Sequence, residues 1–363
     1  MFVALRDLRH ARGRFSLMLV VIVLITFLVT FLASLTAGLS RESTSAITGL
    51  PADHLAFAMP EPGDDPDFTA SSVTADQWRT WADAPGVVSA DPLGVAMTRA
   101  QSDTSTASVT ALGIEPDSTL LPAGAPHLTA GTVLVSASAA SDLSVRAGDN
   151  IDIAGQELRV GAVLDTEASF AHTPVVWTTL EDWQAIGAPS KAANGDATAT
   201  VVALTLDESA SIADTDAAAG TVTLTTTQAR SAISSFSSEN GSLTLMQAFL
   251  MAISALVVGA FFTVWTISRS GDIAVLKALG ASTGYLLRDA IGQAVVVLVI
   301  GVGIGTALAA VAATLLAAAV PVVVTTTTTL VPAAVLVLMG LAGAFLAIVR
   351  ITRVDPHAAL AAH

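Results

Sequence analysis

FSLMLVVIVLITFLVTFLASLTAGLS, residues 15–40, carries no charged side chain, and its reading decides the class of the protein. A helix rises 1.5 Å per residue, and about 20 apolar residues cross the roughly 30 Å hydrocarbon core. This stretch is longer than that. Three more of its kind follow near the other end: residues 243–268, 290–320 and 331–349. Between the first and the second lie about two hundred residues of soluble composition. The pattern predicts an α-helical membrane protein with four transmembrane helices, arranged 1+3, and one mixed α/β extracytoplasmic domain. The first stretch reads as a retained anchor, because its apolar run is about twice that of a signal peptide and no A-x-A site follows it.

Charge sets the expected orientation. Segment 41–242 holds 7 basic and 26 acidic residues, net −19, whereas the rest of the chain sums to +5. Arg6, Arg9, Arg12 and Arg14 precede the first span; Arg269, Lys277 and Arg288 separate the second from the third; Arg350 and Arg353 follow the fourth. Basic residues in short loops mark the cytoplasmic side. The reading is therefore a cytoplasmic segment 1–14, a span 15–40, an extracytoplasmic domain 41–242 and a span 243–268. A cytoplasmic loop 269–289, spans 290–320 and 331–349, and a cytoplasmic tail 350–363 complete it. Both termini are expected on the cytoplasmic side of the cell membrane. An acidic domain is a poor partner for nucleic acid.

The domain itself reads as α/β. Short β-branched runs at 108–114, 132–136, 150–153, 157–164, 174–178, 198–206 and 220–225 are punctuated by turn residues such as Gly131 and Gly155. Residues 74–83 form a helix that opens on Thr74 and sets Trp78 and Trp81 on one face, and 180–186 form another. Residues 226–238 read as a stalk helix leading into the second span. Gly301, Gly303 and Gly305 give the third span a small-residue face suited to close packing in lipid. Pro321 and the run 325–329 read as a loop between the third and fourth spans.

No catalytic machinery is legible. The chain has no cysteine, which removes disulfides and thiolate chemistry together. Its two lysines, Lys191 and Lys277, follow Ser190 and Leu276, so neither belongs to a phosphate-binding Gly-Lys-Ser/Thr loop. The six histidines are scattered. The protein is expected to have no enzymatic activity and no intrinsic cofactor, and any ATP with its magnesium is bound by another chain.

The stretch RSGDIAVLKALGAS, residues 269–282, starts as a helix at Ser270–Asp272 and stops at Gly280. Too short to span, it fits an interfacial helix. Here the chain resembles the ABC permeases of the MacB/FtsX type, whose second and third spans are joined by R-x-x-[DE]-[IL]-[AG]-x-L-[KR]-A-[LI]-G-[AM]-[ST]. The basic entry at Leu5–Arg9 and the exit at Arg350–Leu360 fit the same family. The resemblance implies a coupling helix in which Asp272, Ile273, Leu276, Lys277, Leu279 and Gly280 dock on a separate ATPase. It also implies two ATPases and a second copy of the permease. The run from Gly161 through Ser169-Phe170-Ala171-His172-Thr173-Pro174 to Trp183 is similar to the DevC/HrtB branch.

Within that branch, the HrtB type implies haem, taken from membrane lipid and expelled outward, as the substrate, whereas the DevC type implies work with partner proteins on glycolipids. The ligand candidates near the outer ends of the first two spans are Glu239 and Met246, with Glu42 at the outer edge and Arg41, or Arg230, for the propionates. Glu239 and Met246 are seven residues apart, which is one face of a continuous helix. Glu239–Gly241 reads equally as a fraying loop, and Met246 as ordinary packing. Export of another lipid-like or drug substrate stays open. So does the FtsX-type alternative, a non-transporting mechanotransmitter that drives an outer partner protein.

Because the chain has no cysteine, topology is directly testable. A single cysteine replacing Asp103 should react with a membrane-impermeant maleimide in intact cells. One replacing Ser282 should react only after permeabilisation, and the reverse pattern would invert the topology.

Overall fold

The computed structural model describes residues 12–186, 197–268, 282–317 and 319–352. Its chain divides into two compact units, residues 1–39 with 241–363, and residues 40–240. Among the described residues, four helices are long and apolar enough to cross a membrane: α1 (Arg12–Thr48), α6 (Ser234–Ser268), α7 (Thr283–Leu316) and α8 (Thr326–Thr352). The short helices are α2 (Ala75–Ala82), α3 (Ala137–Leu143), α4 (Leu180–Ala185) and α5 (Ile212–Ala219).

In the helical unit, close approach replaces the hydrophobic effect as the source of packing. A side chain on Gly301 would meet Ile22, and one on Gly305 would meet Thr26 Cβ at 2.6 Å, so the glycine face of α7 lies against α1. Gly303 faces open space. On the other pair, Gly343 lies against Gly259 of α6. Gln247 of α6 donates to Thr36 Oγ1 of α1 at 2.8 Å. Ahead of α8, the run 325–329 is not a loop: Thr325 caps the helix by accepting from the Thr328 amide at 3.2 Å. Pro332 lies inside α8, on its seventh residue from Thr326.

The second unit is built on a ten-stranded sheet. Its strands are β1 (His54–Ala58), β3 (Val87–Gln101), β4 (Thr106–Ile114), β5 (Thr132–Ser136) and β6 (Asn150–Ile153). They continue as β7 (Gln156–Leu164), β8 (Ser169–Phe170), β9 (Thr173–Thr179), β11 (Val201–Leu206) and β12 (Thr221–Thr225). A small second sheet joins β2 (Val73–Thr74) to β10 (Ala197–Ala199). The order is β12-β1-β11-β3-β4-β9-β5-β7-β6, with β8 on β9 and with β6 returning to pair β3. Strands β3, β4, β9, β5, β7 and β6 therefore close on one another, and closure removes sheet edges. Only β4–β9 and β5–β7 are parallel among the pairs of this sheet.

Strand β3 organises both halves. Residues 87–93 pair with β11 and residues 94–101 with β4, so the strand changes partner at Pro92-Leu93-Gly94. Proline is tolerated there because it offers no N–H where the strand has one paired neighbour. Gly94 and Gly113 stand opposite each other in the β3–β4 register. Any side chain on either would overlap Trp183 of α4, which is 5% exposed. The two glycines form a slot for the indole.

Two cores flank the sheet. One gathers Trp81, Leu143, Trp183 and Val202 under α2, α3 and α4. Thr74 and Gln77 cap α2 reciprocally, and Trp78 donates to the Ala90 carbonyl at 2.8 Å. The other core gathers Ile47 of α1, Phe57, Phe68, Phe170, Trp177 and Phe236. Phe68 packs edge-on against Phe57 and Phe170, with centroids 4.9 and 5.2 Å away. The expected stalk helix 226–238 is instead a 3₁₀ turn (Gln228–Ala232), then an extended Ile233, and then the start of α6.

The Trp183 slot gives a prediction. Gly94→Ala and Gly113→Ala each force the indole to move, and overpacking of this kind costs about 1–3 kcal/mol. Melting of the full chain should drop by several degrees for either variant. An unchanged melting temperature would mean that the indole is free to shift.

Candidate functional site

The strongest constellation lies at the tip of the β8–β9 hairpin. Its strands pair Ser169 with Pro174 and Phe170 with Thr173, which leaves Ala171 and His172 as a two-residue turn. Both have left-handed backbone, with φ of 48° and 65°. That is the type I′ geometry favoured by tight hairpins, here without the usual glycine or asparagine. Two things hold it. Phe170 is buried in the second core, and the turn is fastened to the last turns of α1. The Ala171 and His172 amides donate to the Ser43 and Glu42 carbonyls at 2.9 and 3.3 Å. Ser45 Oγ accepts from the Ser169 amide at 2.9 Å.

This fastening aims the imidazole at two carboxylates. Nε2 of His172 lies 2.9 Å from Oε2 of Glu239, on the second turn of α6. Nδ1 lies 3.6 Å from Oε2 of Glu42, on α1. The first is a hydrogen bond and the second a looser ionic contact. A neutral ring donates through one nitrogen only, whereas a protonated ring donates through both. His172 is 28% exposed, and the two glutamates 47% and 44%. Screening by water limits such a pair to about 0–1 kcal/mol. The cluster is thus accessible and cheap to rearrange.

Of the residues expected from sequence, the structure brings Glu42 and Glu239 to one imidazole. Glu239–Gly241 is helical, not a fraying loop. Arg41 is exposed on α1, next to Glu42. Arg230 is engaged locally, its guanidinium 5.6 Å from the Phe236 ring centroid and its Nε donating to the Thr227 carbonyl. Met246 also lies on α6, 54% exposed. The coupling residues Asp272, Ile273, Leu276, Lys277, Leu279 and Gly280 lie outside the described residues. Among the described residues, no group of three or more His, Cys, Asp or Glu is arranged to hold a metal ion. A small cavity inside the four-helix unit is lined by Ile22, Thr26, Ser254, Val258, Leu298 and Met339. It has room for about one water molecule, far below the ordinary range of ligand pockets, roughly 300–1,000 Å³.

The sequence reading missed His172 by counting it among scattered histidines. The signal was available, because His172 stands in the run that carries the DevC/HrtB resemblance.

Comparison with known proteins agrees with this architecture. Residues 15–222 match the family model described as MacB-like periplasmic core domain, and residues 244–356 match FtsX-like permease C-terminal. The chain belongs to the MacB/FtsX-like ABC transporter permeases, the non-catalytic membrane subunits of these systems. It is 29% identical over 137 residues to a putative hemin transport system permease protein HrtB of Staphylococcus epidermidis, covering 38% of this chain and 39% of that protein. The chain thus matches about two fifths of the length of this relative. It is also 25% identical to an uncharacterised ABC transporter permease of Mycobacterium tuberculosis, over 98% of both chains. Among solved structures, the periplasmic region of MacB from Actinobacillus actinomycetemcomitans aligns with a TM-score of 0.36 at 11% identity. That alignment covers 52% of this chain and 95% of that one.

The turn is testable by itself. A β-branched residue is strained at φ near 48°, whereas glycine is at home there. Ala171→Val should destabilise by about 1–2 kcal/mol, while Ala171→Gly should be neutral or slightly stabilising. Equal melting temperatures for the two variants would contradict the left-handed turn.

Proposed function

We propose that this chain is the permease subunit of an efflux pump that takes haem from the membrane and expels it outward, driven by a separate ATPase. The observation that carries the reading is the similarity to permeases named for hemin transport. It is supported by Glu239 and Glu42, two accessible carboxylates gathered by one hairpin. Haem is an apolar disc with two carboxylates and a Lewis-acidic iron, so it partitions with its ring among acyl chains and its acids at the headgroups. A capture site therefore needs an iron ligand near the interface and a cation beside it. Glu239 and Met246 fill the first role in this reading, and Arg41 the second, with Glu42 an alternative ligand.

In the same reading two permease copies work with two ATPase subunits, which bind the ATP and magnesium. Asp272, Ile273, Leu276, Lys277, Leu279 and Gly280 form the docking segment. Both termini are cytoplasmic, and the α/β unit is outside the cell membrane. The FtsX-like match over residues 244–356 favours a second reading, in which the same stroke drives an outer partner protein and moves no substrate.

Replacing Glu239 and Met246 together by Ala should shift or abolish the Soret band of the hemin-loaded complex and sensitise cells to haem, with basal ATP hydrolysis retained. An unchanged Soret band and unchanged tolerance would rule out this site. A wild-type complex that hydrolyses ATP but never binds hemin would favour the mechanotransmitter.

A further inference from the structure

One well-placed group has no part in that function. His172 is assigned to neither iron nor propionate, yet its Nε2 sits 2.9 Å from the Glu239 oxygen Oε2. A hydrogen bond to that oxygen draws on the electron density that a bond to iron would use, and the ring occupies that side of the carboxylate. The placement of the ring is built in. Two successive non-glycine residues hold left-handed backbone at the hairpin tip, and their amides are tied to the Ser43 and Glu42 carbonyls. Conformations of this kind persist only where the surroundings over-determine them. The side chain, by contrast, is less constrained than its backbone. With the cluster partly open to water, the ring can leave Glu239 while the backbone anchors on α1 stay in place.

Resting on the reading that Glu239 meets the iron, we propose that His172 is a positioning residue that holds the Glu239 carboxylate in reserve. It occupies the carboxylate while the site is empty and gives it up when haem arrives. As the coordinate bond from carboxylate oxygen to iron forms, the N–H···O hydrogen bond breaks and the ring turns to water or to Glu42. No electron is transferred, and the imidazole keeps its proton. The competition lowers the apparent affinity for haem by the fraction of time that the carboxylate is occupied. A pump gains from this, since a weaker hold favours release on the far side.

The test uses the purified full-length permease with its ATPase, titrated with hemin at fixed pH. His172→Asn is the informative variant, because Asn tolerates left-handed backbone and is too short to reach Glu239. A half-exposed hydrogen bond to a carboxylate, worth up to about 1 kcal/mol, predicts roughly two- to fivefold tighter hemin binding, with the Soret maximum unmoved. A second measurement needs no haem. In ¹⁵N-histidine-labelled protein, the His172 ring signal, assigned by its loss in His172→Asn, should move on Glu239→Ala.

Unchanged or weaker hemin binding by His172→Asn overturns the proposal alone. Loss of binding with a displaced Soret band would make His172 an iron ligand and overturns it too. A His172 signal indifferent to Glu239→Ala overturns it without reference to haem. Absence of hemin binding in both wild type and variant overturns the proposal together with the function on which it rests.

Discussion

Hydrocarbon tolerates neither charge nor an unpaired backbone group, and the rest of this structure follows from that constraint. Within the bilayer it leaves helices as the only spanning form open to segments such as 15–40 and 243–268. It also removes the ordinary hydrophobic drive between helices, so contact surfaces must be small enough for backbones to approach. Gly301 and Gly305 against α1, and Gly259 against Gly343, are that response. Charged chemistry is then confined to the ends of the helices and to the α/β unit, where Glu42, His172 and Glu239 are found.

What was legible in the sequence is what periodicity and charge exclusion encode. The four apolar helices and the α/β character of the middle segment are both present. So are α2 with its Thr74 cap and the buried Trp81. The longest strand of the sheet was not legible. Asp91-Pro92-Leu93-Gly94 is made largely of strand-breaking residue types, and no local signal tells that β3 changes partner there and that Gly94 makes room for Trp183. Strand β1 and helices α3 and α5 were missed for a related reason. The few apolar side chains that they bury, such as Phe57, Leu143 and Ala219, pack against neighbours far away in sequence. The threonine run 325–329 failed in the other direction, since a cap formed by Thr325 turns polar residues into a helix start.

The candidate site was half legible. Glu42 and Glu239 were identified one by one, from their position beside long apolar stretches. That one hairpin brings them to the same imidazole depends on a left-handed Ala171–His172 turn, which sequence rules assign to glycine or asparagine. The turn exists because Phe170 is held in the aromatic row with Phe68 and Phe57, and because the α1 carbonyls accept the turn's amides. A site on a strained tip, steadied by a buried aromatic below and by a helix beside it, is a recurrent way of presenting a side chain with little freedom. In this case the side chain meets two half-exposed carboxylates, an arrangement weak enough to be undone by a ligand.

The most direct measurement is transport itself. Permease and ATPase would be reconstituted in vesicles with the α/β unit inward, hemin supplied in the bilayer, and a haem-accepting apoprotein enclosed in the lumen. The account predicts that ATP added outside loads the enclosed acceptor with haem, and that Glu239→Ala slows this loading. ATP hydrolysis that proceeds while the acceptor stays empty would contradict it.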